Sequence, residues 1–167
     1  MPREVLRIGI VGRSWPPSSR WATRALRPHA AMDAGPDLPA GTLMHEEAGV
    51  RTVWLGTYAL VLHHGETGHY RTNLGSARPS VWVSMEGDAV RMVTPDPYEG
   101  EALAGDPGRV VEALAMPAGV QAAVADFIAR HHEDVPFHKR QRTPAPGAVE
   151  PPRAPRILPP GEGWGRR

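Results

Sequence analysis

The chain has 167 residues, with 19 Lys and Arg against 18 Asp and Glu, eight His and no Cys. That length fits one domain plus a tail and is too short for two ordinary domains. The lack of cysteine excludes thiol nucleophiles, disulfides and cysteine-ligated iron–sulfur or zinc centres.

The charge is unevenly spread. From Lys139 onward there are seven basic and two acidic residues, a net +5, which leaves −4 on residues 1–138 of a chain whose total is +1. An acidic body with a basic tail points to a tail that meets an acidic partner or, through the same opposite charges, a second copy of the chain. No run approaches the ~20 apolar residues needed to span a bilayer. The start of the chain turns polar after a short apolar stretch, without a secretory core. The expectation is a soluble, cytoplasmic protein with no membrane insertion.

In chain order, residues 5–11 alternate Leu6, Ile8 and Ile10 with Arg7 and Gly9, the period of a half-buried strand. Residues 14–28 contain Pro16-Pro17, Trp15 and Trp21 and read as a loop that packs its aromatics. Strands follow at residues 27–32 and 42–46. Residues 50–64, VRTVWLGTYALVLHH, carry the strongest β signal, with Gly56-Thr57 as either a hairpin turn or a bulge in one bent strand. Residues 66–74 predict a short helix. VWVSM and AVRMV flank Gly87-Asp88 as a hairpin. Pro97 suits the first position of a helical turn over residues 96–105, and residues 109–114 predict a last strand. From Pro117, the apolar residues Val120, Val124, Phe127 and Ile128 recur at helical spacing, and His131 falls on the same stripe as the helix ends. From Thr143 onward Pro, Gly, Ala, Arg and Glu dominate, too little apolar surface to offset the entropy of ordering, so a disordered tail is expected.

Catalytic signatures are weak. GIVGRS has only Gly9 and Gly12, no Lys in Walker spacing, and two prolines that remove N–H donors, so it does not make a phosphate loop. No serine sits in a G-x-S-x-G setting. The carboxylate pairs Glu46-Glu47 and Glu133-Asp134 are sequence neighbours, not groups held apart for acid–base work. Histidines gather at His63, His64 and His69 and again at His131, His132 and His138. Imidazoles from both groups could share a metal, but adjacent histidines on a strand point to opposite faces, and His-x-x-x-His is absent. KRQR at residues 139–142 could meet phosphates, yet the body lacks the broad basic face of a nucleic-acid binder.

Three segments carry a resemblance: YRTNLGSARPSVWVSM (residues 70–85), TPDPYEGEALAGDPGRVVEALAMP (residues 94–117) and VADFIARHHEDVPFHKRQR (residues 124–142). Together they resemble an uncharacterised bacterial family of small proteins whose genes are often found beside those of molybdenum-dependent formate dehydrogenases. The resemblance runs from Pro2 to about Arg142 and brings no catalytic or binding residue with it. It implies an accessory role: assembly, maturation or stabilisation of such an oxidoreductase. A factor that passes sulfur through a persulfide would need a thiol.

The resulting expectation is one α+β domain over residues 1–138, a mainly antiparallel sheet, strongly curved or barrel-like, with a packed C-terminal helix. Residues 139–167 form a basic arm and a Pro/Arg-rich tail. The function expected is non-catalytic binding of an oxidoreductase subunit, with no cofactor and no nucleic acid. His131, His132, Phe137, Lys139, Arg140 and Arg142, with Arg78 on a loop, are the candidate contacts, because arginine and aromatic residues most often anchor such interfaces. A His-dependent metal protein and a nucleic-acid binder acting through the arm are the alternatives.

Overall fold

The computed structural model describes residues 3–133, which contain seven strands and three α-helices. A four-stranded antiparallel sheet has the order β2-β1-β4-β3, built from β1 (Arg3–Ser14), β2 (Leu26–Met32), β3 (Thr42–Glu47) and β4 (Val50–His63). A three-stranded antiparallel sheet has the order β6-β5-β7, from β5 (Ser80–Glu86), β6 (Ala89–Thr94) and β7 (Val110–Ala115). The helices are α1 (Thr67–Leu74), entered through a 3-10 turn at His64–Glu66, α2 (Pro97–Ala104) and α3 (Ala118–His131). The α+β, mainly antiparallel expectation holds, and α3 is the C-terminal helix it called for. Among the described residues the strands form two separate sheets and no closed barrel, so the barrel-like form of the expectation is not met.

β1 runs longer than its alternating stretch because it is a central strand, paired with β2 on one side and β4 on the other. Its residues 8–12 are buried on both faces. Ile8 and Ile10 enter the core, while Gly9 faces outward beneath Trp54, where a Cβ would come within 2.6 Å of the indole.

The choice at Gly56 resolves as a bulge. Ile10 pairs with Gly56 and Val11 with Trp54, so Leu55 is an extra residue in β4. Gly56 has φ +122, a conformation that side chains disfavour. Because side chains alternate along a strand, the extra residue reverses which face is buried. Leu60 and Leu62 enter the core on one side of the bulge, and Leu55 and Val53 on the other. Trp54 is thrown to the outer face, where its Nε1 donates to the Leu38 carbonyl at 3.1 Å.

The core lies between the sheets. Ile8, Ile10, Leu55, Leu60 and Leu62 of the larger sheet meet Val81, Val83, Met85, Val93 and Leu114 of the smaller. Tyr70 of α1 and Val120, Val124 and Phe127 of α3 complete the same cluster, with Ile128 half-buried against it. The helical stripe read from the sequence is thus the buried face of α3. Arg130 of α3 donates to Glu4 at 2.8 Å, which sets this helix near the start of β1. The helices α1 and α3 therefore close one end of the layered core, and α2 covers the outer face of β5, with Gly100 against the Trp82 ring.

One expectation is overturned. Residues 15–25 join β1 to β2, but they do not pack their aromatics: Trp21 is 82% exposed and Trp15 45% exposed. The chain leaves the sheet at Ser14 and returns at Leu26, at the end of the core away from α1 and α3, so no layer lies over these rings. Arg20 instead stacks on Trp21, its guanidinium carbon 4.7 Å from the ring centroid.

Candidate functional site

Two places gather chemistry. The first surrounds α1, at the closed end of the core. Tyr70 is buried, accepts from the His63 backbone N–H at 3.0 Å and donates to Glu66 Oε2 at 3.0 Å. Its burial pushes the phenol well above the ordinary tyrosine value, and the Glu66 carboxylate adds to that. Asn73 is buried and fully engaged: its Nδ2 donates to the Ser80 and Pro95 carbonyls at 2.7 Å each, and its Oδ1 accepts from the Ser80 N–H at 3.0 Å. Asp96 caps α2 by accepting from the Tyr98 and Glu99 amides, and its other oxygen lies 2.7 Å from His69 Nδ1. With one ring nitrogen engaged by a carboxylate, the His69 ring is held in place, tilted against Tyr98. This network links α1, β5 and α2, the parts of the chain that contain YRTNL, RPSVW and TPDPY.

The two histidine groups of the sequence meet here. His64 and His131 have ring centroids 6.0 Å apart, and His131 packs 4.7 Å from the Phe127 ring. His132 Nδ1 lies 3.0 Å from Thr67 Oγ1. Among the described residues, no group of three or more His, Asp or Glu is arranged to hold a metal ion. His131 and His132 are both half-buried, and the contacts just given hold the end of α3 against α1. Arg78 is exposed in the loop before β5, beyond the far end of α1 from Thr67, so it does not share a patch with these histidines. Phe137, Lys139, Arg140 and Arg142 lie outside the described residues, as does the tail from Thr143.

The second place is the other end of the core, which opens into a cavity of about 590 Å³. Its floor is Leu26, Val53, Leu55, Tyr58 and Val90, a continuation of the core. Arg24 and Arg51 stand at its polar side with Ser14, and Asp88 of the β5–β6 turn stands at the rim. Arg24 is half-buried and held by neutral groups, donating to the Gly49 carbonyl at 2.9 Å and to Ser14 Oγ at 3.4 Å. Arg51 is 3.5 Å from the Glu46 carboxylate across the β3–β4 pair. Tyr58 donates to the Leu55 carbonyl at 2.7 Å, and burial raises its phenol pKa. The exposed Trp15 and Trp21 are on the loop that ends at Arg24.

Sequence reasoning did not find this end. Arg51, Val53 and Leu55 share a face by strand alternation, but Arg24 and Asp88 come from distant turns, and no local pattern links them. The prolines and arginines around the two tryptophans in WPPSSRWATR are the local signal that could have marked residues 15–25 as outward-facing.

No curated protein and no solved structure matches the chain. Among the described residues no helix is long and apolar enough to cross a membrane. A family model described as a protein of unknown function, DUF3305, matches residues 7–141, most of the chain, including all three segments that carried the resemblance apart from the last residue of the third. The chain belongs to this uncharacterised family.

Proposed function

We propose that the protein is a non-catalytic binding protein that serves a molybdenum-dependent formate dehydrogenase-type oxidoreductase in the cytoplasm, in its assembly, maturation or stabilisation. The observation behind a binding role is the β1–β2 loop, where Trp21 is 82% exposed with Arg20 stacked on it. Large aromatic and arginine side chains are the usual anchors of protein contacts, because each buries much surface and keeps a polar or charged group to pair. The choice of oxidoreductase rests on the family resemblance. The arm residues Phe137, Lys139, Arg140 and Arg142 form a second contact in this reading, with His131 and His132 fixing the helix end from which the arm departs, and Arg78 a third.

The test is affinity capture from cells that express the oxidoreductase, comparing the whole chain, Trp21→Ala and a chain lacking residues 137–167. Recovery of oxidoreductase subunits by the whole chain, reduced by either change, is expected. Failure of the whole chain to recover them removes the assignment. Equal recovery by all three removes the loop and the arm from it.

A His-dependent metal protein is the second reading: the His64 and His131 rings, 6.0 Å apart, bring two imidazoles together, while no group of three or more ligands is found among the described residues. Elemental analysis of untagged protein separates the two, since metal well below one equivalent ends it. A nucleic-acid role through residues 139–142 predicts binding that weakens from low to physiological salt.

A further inference from the structure

We propose that the open end of the core is a binding site for a small amphipathic anion, an organic acid with an apolar body and one carboxylate head. A β-sandwich core normally ends in side chains that close over it. Here Leu26, Val53, Tyr58 and Val90 pack on the core yet stay partly exposed, because they line a cavity of about 590 Å³. That size is within the range of small-ligand pockets, which are mostly apolar with a few placed polar groups.

Arg24 identifies the head group. Its guanidinium is half-buried at the cavity and fixed by the Gly49 carbonyl and Ser14 hydroxyl, both neutral. Among the described residues no carboxylate pairs with it, whereas Arg51 beside it is matched by Glu46 at 3.5 Å. A guanidinium taken partly out of water and left without a counter-charge is stabilised by an incoming anion, and its planar fork matches a carboxylate. Ser14 is 3% exposed and supplies a hydroxyl at the same spot. Asp88, the acidic residue of the lining, repels an anion, so the head sits at the Arg24 guanidinium and the apolar body lies over Val53 and Leu55. The site is separate from the Trp21 ring and does not depend on the binding role proposed above.

Decanoate and decanol share an apolar chain and differ at the head. Titration of each into the full chain, followed by calorimetry and by methyl NMR of Leu26, Val53, Leu55 and Val90, tests the site. Decanoate is expected to bind about tenfold or more tightly than decanol, as a charge-assisted contact implies, with shifts centred on those four residues. In Arg24→Met the preference for decanoate is expected to vanish while decanol binding stays the same, and Arg24→Lys is expected to keep part of it. Near-UV circular dichroism checks that both variants fold. Equal affinity for the two ligands, shifts centred elsewhere, or no saturable binding up to millimolar decanoate would each overturn the proposal, and these wild-type measurements need no variant.

Discussion

Asp33, in the loop after β2, caps α3 from across the chain: its carboxylate accepts from the Gly119 and Val120 amides at 3.1 and 2.8 Å. The residue at the helix's own cap position, Pro117, makes no side-chain cap bond. Unpaired amides at a helix start attract a negative side chain both as hydrogen-bond donors and through the helix dipole. One carboxylate thus ties the edge of the larger sheet to the helix that closes the core. Asp33→Ala is expected to destabilise the fold by about 1–2 kcal/mol, read from the midpoint of urea unfolding. An unchanged midpoint would show the cap to be dispensable.

Asn73 offers a sharper test of the α1 network. Asn73→Ala removes bonds to the Ser80 N–H and to two carbonyls in a buried place. Leaving such groups unmatched costs roughly 1–3 kcal/mol each, so a loss of at least about 3 kcal/mol is expected. Asn73→Asp should be worse, since it sets a carboxylate oxygen against the Ser80 and Pro95 carbonyls. Chemical denaturation of both variants gives the order.

The Tyr70 phenol supplies a pH signature. Its folded pKa lies above the ordinary value of 10.0, so the neutral phenol is preferred in the folded state. The resulting stability is complete below pH 10 and falls as the pH rises beyond it, where the unfolded chain ionises first. Stability measured from pH 8 to 11 should therefore drop above pH 10, and Tyr70→Phe should flatten that drop. The same variant loses the bonds to His63 and Glu66, so at pH 7 it is expected to be less stable by about 1–3 kcal/mol.

His29 acts at the acid side. Burial, with Arg13 as the smaller cause, lowers its pKa below 6.5. A histidine lowered in this way leaves stability untouched above pH 6.5 and reduces it as the pH falls through the unfolded value, because the unfolded chain takes up the proton first. His29→Gln should make the acid limb between pH 7 and 5 shallower, by a small amount because the residue is largely exposed.

Packing on the outer face of the larger sheet is tested at Gly35. A Cβ there would lie 2.0 Å from the Trp54 ring. Gly35→Ala is expected to cost about 1–3 kcal/mol through overpacking. It should also redden and broaden the Trp54 emission if the ring is displaced toward water. Trp21→Ala, at an 82% exposed ring, should change stability by less than about 0.5 kcal/mol. Loss of oxidoreductase capture by that variant would then come from the contact and not from unfolding.

Periodicity and turn residues together carried the order of strands and helices, the hairpin at Gly87-Asp88 and the buried stripe of α3, since all these signals depend on residues close together in the chain. Periodicity also placed His131 on that stripe, where the ring rests on Phe127. The absence of cysteine excluded thiol nucleophiles, disulfides and cysteine-ligated metal centres from this sequence. Tertiary structure decided the rest. Pairing with β1 decided between the turn and the bulge that Gly56-Thr57 offered, and the extra residue Leu55 reversed the faces of β4. The cap on α3, the meeting of His64 with His131, and the Arg24 and Arg51 pair at the open end all join residues far apart in sequence. Such contacts are set by which strand lies beside which, and that choice belongs to the packing of the whole core.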